Sequence, residues 1–231
     1  MGLLTAFVLV PVLALSAKPF FSSIIYAGTV LALCCPSAIA SAFWVKAFKG
    51  DIATALVMGI TTNLLSIVTV PATMLIAIGT ALNVDIASMI VNLAEIILVP
   101  MTASFLVRRF VHLDWNRACS YSSRAELGML ALVVWGSIAP GVEYVRNNIA
   151  EFVLLNAFIL GILALAFTLT NLLTKRFGHE IVISIQIATT VKNAALSLVI
   201  GLTAFGPQIL APLIASLIAQ NLLLITAKAL T

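Results

Sequence analysis

The feature that most constrains this chain is the length of its charge-free runs. Residues 1–17, 19–45, 52–84, 152–174 and 193–227 contain no Asp, Glu, Lys or Arg, and each ends at a charged residue. A helix needs about 20 predominantly apolar residues to cross a bilayer, so these runs are at or beyond spanning length. Two further windows are interrupted: residues 86–107 carry only Glu95, and residues 127–142 hold Pro140 and Gly141 before Glu143. A last apolar stretch, 181–191, stops at Lys192. The composition agrees, at 62% hydrophobic and 9% charged, where a soluble domain carries about 25% charge. With most of the 231 residues taken up by spans and short connections, a soluble enzyme or a nucleic-acid-binding module is excluded.

Two windows are too long for one simple helix. Residues 19–45 contain Pro36, which removes a backbone donor and clashes with the preceding turn, so a broken helix is expected. Residues 193–227 contain Gly206-Pro207, a turn signal that divides them between two segments. The reading is an all-α polytopic membrane protein with segments at about 1–16, 22–48, 52–80, 86–107, 124–140, 150–174, 181–205 and 208–228. Met1–Ala17 lacks a basic stretch ahead of its apolar run and reads as a retained span rather than a cleaved signal.

If the segments alternate in direction, Lys46, Lys49, Arg108, Arg109, Arg117, Arg124, Lys175, Arg176 and Lys228 fall on one side of the membrane, and Lys18 and Arg146 on the other. The positive-inside rule makes the first side cytoplasmic and places both termini there. The net charge of +4 thus records orientation, not an anionic macromolecular partner. Cys34, Cys35 and Cys119 form no disulfide framework and lie near no metal-ligand pattern. His112 and His179 stand outside any catalytic or phosphate-binding motif, and enzyme chemistry has no support.

Lys192 is the residue that most needs a reason. It lies 12 residues beyond Glu180, about 18 Å along a helix and near the middle of a roughly 30 Å hydrocarbon core. An unpaired lysine at that depth costs about 3 kcal/mol on insertion scales. It sits within Thr189-Thr190-Val191-Lys192-Asn193, a polar cluster of the kind that unwinds and lines a cavity. Irregular backbone at membrane depth is tolerated only where protein or water covers it. Ser37 and Ser41, just past Pro36, make a second cluster in the other broken segment. Two interrupted segments, one early and one late, point to a transporter whose site lies near the midplane. Glu95, ten residues into its span, is read as a coupling carboxylate or as the partner of a buried cation.

These residues carry a family resemblance. Cys34-Cys35-Pro36-Ser37-Ala38-Ile39-Ala40-Ser41, followed by Lys49-Gly50-Asp51, resembles the CCPGGxxSN and basic-Gly-Asn patterns of the sodium/bile acid symporter family. Thr190-Val191-Lys192-Asn193-Ala194-Ala195-Leu196 and Phe205-Gly206-Pro207 resemble its second crossover, close to EVGxQNxxLA. The resemblance implies two inverted five-helix repeats in which broken helices cross beside sodium and substrate sites. The segments here match the third to tenth helices, with the first two absent. Residues 1–80 would then form a partial first repeat and 86–228 the second, with panel helices in 86–140 and core helices in 150–228. A bacterial inner membrane is the implied location.

Several implied sodium-ligand positions are changed. Ala42 stands where the family has asparagine, Ala55 and Gly59 replace hydroxyl ligands, Ala188 replaces a glutamate and Lys192 a glutamine, leaving Ser41 and Asn193 as matches. Sodium needs oxygen donors, so the expectation is that the Lys192 ammonium takes the place of a bound ion. The expected function is a secondary transporter for a small organic anion, with Ser37, Ser41, Thr189, Thr190, Lys192 and Asn193 at the site and Glu95 as the coupling carboxylate. The alternatives are an arsenite- or auxin-type permease of the same superfamily, or a non-transporting truncated membrane subunit.

Overall fold

The computed structural model describes residues 1–79, 85–110, 128, 132, 135, 143 and 145–230, and the expected segment at 124–140 lies largely outside them. Among the described residues every regular element is helical. The helices are α1 (Gly2–Leu15), α2 (Ser23–Cys34), α3 (Ser41–Ala47), α4 (Ile52–Ile78), α5 (Ile86–Phe110), α6 (Ile149–Thr174), α7 (His179–Thr190), α8 (Ala194–Phe205) and α9 (Pro207–Ala229). Four of them, α4, α5, α6 and α9, are long and apolar enough to cross a membrane. The shorter apolar helices α1, α2 and α8 are of 10–17 residues.

Both expected breaks are present, but they arise differently. At the first, Cys35 precedes Pro36 and is held extended, at φ −57° and ψ 150°, because a proline ring disfavours helical geometry in the residue before it. At the second, Val191 is extended at φ −81° and ψ 97° with no proline nearby. Tertiary bonds described below take over the backbone groups there. The expected segment 22–48 is therefore α2 and α3, and 181–205 is α7 and α8. Gly206, at φ 77°, adopts the left-handed conformation that suits glycine and turns the chain from α8 into α9.

Helix α9 is central: 61% of its most apolar stretch is buried, against 11% for α5. It packs on α6 and α2, and α2 packs in turn on α1 and α4. Lipid tails are as apolar as leucine, so helices in a bilayer associate through close packing of small residues. The α2–α9 contact follows that rule, with Ala27, Ala32, Ala211, Ala215 and Ala219 all buried. Gly28 sits so close to α9 that a Cβ there would lie 2.3 Å from Pro212 Cγ and 2.7 Å from Ile209 Cγ1.

One end of the bundle gathers the starts of α4 and α7 and the end of α9. The Asp51 N–H donates to Glu180 O at 3.2 Å, and the Lys228 ammonium lies 5.2 Å from the centre of the Phe48 ring. Asp51 caps α4, accepting from the N–H groups of Ala53 and Thr54 at 3.2 and 3.0 Å and from the Thr54 hydroxyl. The Thr54 hydroxyl, then the Thr54 N–H, holds its carboxyl below the usual carboxylate range.

Candidate functional site

The two breaks meet. Ser37 and Lys192 pair as an isolated antiparallel bridge, flanked by Ala38 N–H donating to Val191 O at 2.9 Å and Asn193 N–H donating to Pro36 O at 2.8 Å. Each break thus satisfies part of the other's backbone, as an interruption at membrane depth requires. Neighbouring helices supply more. The Ser37 N–H donates to Thr62 Oγ1 at 3.1 Å and Asn63 Nδ2 donates to Ser37 O at 3.0 Å, both from α4. From α9, Gln220 Oε1 accepts the Lys192 N–H at 2.8 Å.

Asn193 closes the arrangement. Its Oδ1 accepts the Leu196 N–H at 3.1 Å and so caps α8, while its Nδ2 donates to Asn63 Oδ1 at 3.3 Å. Thr62, Asn63 and Gln220 were not singled out from sequence. Thr61-Thr62-Asn63 and Gln220-Asn221 are the polar interruptions of otherwise apolar windows, and that signal would have found them.

The sequence-selected residues separate into groups. Ser37, Ser41, Thr189, Thr190 and Lys192 are all buried. The Thr190 hydroxyl donates to Gln186 O in its own helix at 2.8 Å, whereas Thr189 Oγ1 lies 3.1 Å from Thr5 Oγ1 and ties α7 to α1. Ser41 Oγ and Lys192 Nζ are buried with no hydrogen-bond partner among the described residues. Cys34 and Cys35, beside the first break, are buried free thiols. Glu95 is apart from all of these. It is exposed, on the side of α5 opposite its buried Met89, Leu93 and Ile97, and the structure does not bring it to the crossing.

Asn193 is the selected residue that reaches open space. A cavity of about 640 Å³ lies between α4, α5 and α8. Asn63, Asn193 and Ala195 line it from the crossing, Ser104 and Arg108 from α5, and Ile39, Ile60, Ile97, Met101, Phe105 and Val199 form much of its apolar wall.

Two positions where the resemblance implied sodium ligands hold no side-chain oxygen. Ala188 is buried against Met58 and Ile185, and Ala55 against Val45, Ile187, Val191 and Leu224. Methyl groups therefore fill two of the positions where the resemblance implied oxygen ligands. Among the described residues no group of three His, Cys, Asp or Glu could hold a metal ion.

The model of the Sodium Bile acid symporter family matches residues 1–140, which include the first break, Thr62 and Asn63. The Uncharacterized protein YbaS of Bacillus subtilis (strain 168) is 25% identical over 203 residues. The alignment covers 85% of this chain and 65% of that relative, so the chain spans less than two thirds of the relative's length.

Proposed function

The chain belongs to the Sodium Bile acid symporter family, and from that premise we propose that it moves a small organic anion across the membrane by alternating access, with the Lys192 ammonium in place of a bound sodium ion. Membership supports a membrane transporter; the anion, the coupling and the mechanism are our inference.

The observation that carries the proposal is the buried Lys192 Nζ, without a hydrogen-bond partner among the described residues, at the point where α2 and α7 both end. Helix C-termini present partial negative charge, worth up to ~2 kcal/mol each to a partly buried cation. Two of them together match the ~3 kcal/mol that inserting a lysine costs. Broken-helix C-terminal ends are also where transporters of this kind hold a coupling cation. A tethered ammonium meets the same electrostatic demand without needing the oxygen ligands that Ala55 and Ala188 have removed.

The anion is assigned to the 640 Å³ cavity, where Asn193 and the first turn of α8 offer amide donors and the positive end of a helix dipole. In the transport cycle the crossing and its supporting helices rock against α5, exposing the cavity to each side in turn. The excess of Lys and Arg on one side favours a cytoplasmic location for the ends of α5 and α9.

Uptake of a panel of labelled organic acids into vesicles holding the purified protein tests this, with sodium and pH gradients imposed separately. The expected result is uptake indifferent to sodium in the parent and lost in Lys192→Gln. A Lys192 that stays charged gives uptake indifferent to the pH gradient; one that releases its proton gives uptake driven by that gradient. Strict sodium dependence in the parent protein would overturn the proposal.

A further inference from the structure

Glu95 has no place in the crossing, yet it is the one charge within residues 86–107. It is the tenth residue of α5, about 14 Å from the start of that helix and so near the middle of a roughly 30 Å hydrocarbon core. It is exposed, which at that depth means exposed to lipid. Hydrocarbon offers no hydrogen bond, and ionisable side chains in spans are kept where they face protein or water.

Glu95 is also part of a pattern. Ser88, Glu95 and Thr102 recur every seven residues, Val91, Leu98 and Phe105 recur at the same interval between them, and all six are exposed. Alternating steps of three and four residues form the seam along which two helices pack side by side. At about 100° per residue, this stripe is centred opposite the buried Met89, Leu93 and Ile97. Its lower edge reaches the cavity, which Phe105 also borders. The least buried of the four long apolar helices, with 11% of its most apolar stretch buried, therefore turns a seam with a carboxyl group in it toward the lipid.

We propose that this stripe is the contact between two copies of the chain, packed with their α5 helices parallel about a two-fold axis along the membrane normal. Both copies carry the same distribution of Lys and Arg and so share one orientation in the bilayer, which leaves only the parallel pairing open. About such an axis each residue meets its own counterpart at its own depth. Glu95 then meets Glu95 and Thr102 meets Thr102, with Val91 and Leu98 packed around them. Both polar groups are self-complementary, because a hydroxyl and a protonated carboxyl each donate and accept, and such side chains hydrogen-bond across helices in membranes. A helix of unrelated sequence would have to offer polar groups at both depths, whereas a second copy offers them by symmetry. The Ser88 hydroxyl is already given to Asp85 and adds no bond across the axis. Arg109, the next position of the stripe, lies in the last turn of α5, where a long side chain reaches the membrane interface.

The test uses the full chain in lipid bilayers. In a Cys119→Ser background, Leu98→Cys is expected to form a disulfide-linked product of twice the chain's mass on mild oxidation. Val68→Cys, on α4 and 67% exposed, stays unlinked, because two thiols join only where their backbones come close. Single-molecule photobleaching in liposomes, read as the protein is diluted in lipid, gives the dimer affinity. Glu95→Leu weakens it about tenfold, while Glu95→Gln, whose amide also donates and accepts, keeps most of it. Both changes lie on an exposed face, so the thermal midpoint of the single chain is expected to hold. A parent that is monomeric at every dilution, linking at Leu98→Cys no stronger than at Val68→Cys, linking to a different membrane protein in its place, or a Glu95→Leu dimer as tight as the parent's overturns the assignment. None of these readouts involves a cargo, so their failure leaves the transport reading untouched.

Discussion

Ser37 and Lys192, 155 positions apart in the chain, face each other across an antiparallel bridge that joins the two interrupted helices at the centre of the bundle. Backbone groups freed by one interruption are used by the other, through Ala38 N–H to Val191 O and Asn193 N–H to Pro36 O. The Lys192 N–H is committed to Gln220 Oε1 on α9.

Replacing Lys192 by Met is expected to separate stability from transport. A buried ammonium without a hydrogen-bond partner among the described residues is costly to keep, and exchanging buried ions for apolar groups is often neutral or stabilising by about 1–4 kcal/mol. Lys192→Met should hold or raise the thermal midpoint in detergent while uptake is lost. A large drop in the midpoint would show instead that the ammonium holds the crossing together.

Gln220→Leu removes the acceptor of the Lys192 N–H and leaves a buried donor without a partner. That situation costs about 1–3 kcal/mol. The expected outcome is a lower thermal midpoint, with Gln220→Glu recovering part of the loss because a carboxylate oxygen can accept the same bond.

Gly28→Ala puts a methyl group 2.3 Å from Pro212 Cγ, and neither a proline ring nor the helix backbone beside it can swing away. Overpacking of this kind costs about 1–3 kcal/mol. The same change at Gly161, where a Cβ meets nothing within 4 Å, should be neutral or slightly stabilising through helix propensity, and the pair of midpoints checks the packing argument.

Asp51 predicts a pH dependence. Its carboxyl is held below the usual value near 3.9 by the Thr54 hydroxyl and N–H, so the cap's contribution is fully present above that value and is lost as pH falls through the lower folded value. Asp51→Ala should therefore lower the thermal midpoint at pH 7, and the difference from the parent should shrink below about pH 4.

Glu95→Gln is expected to leave uptake and its pH profile close to those of the parent, because Glu95 is exposed on the side of α5 away from the crossing. Abolished uptake with normal folding would restore it to the coupling role that its depth in the sequence suggested.

What the sequence determined by itself was the membrane environment and the places where helices stop. Charge-free runs report burial in lipid directly, because any charge at that depth costs kilocalories. Pro36 and Gly206 act through their own backbone geometry, so both can be read one residue at a time. Lys192 and Asn193 were legible for the same reason, as polar groups where none is cheap. The bonds that sustain the breaks were decided by tertiary structure: nothing local makes Thr62 the acceptor of the Ser37 N–H, Gln220 the acceptor of the Lys192 N–H, or Asn63 the partner of Asn193. Helix rotation was decided there too. Glu95 and Arg108 stand on one helix, but 13 residues of turn at about 100° each put Arg108 on the cavity side and leave Glu95 facing away. Sequence position fixes how deep a residue lies in a span, while packing against α4 and α8 fixes which way it faces.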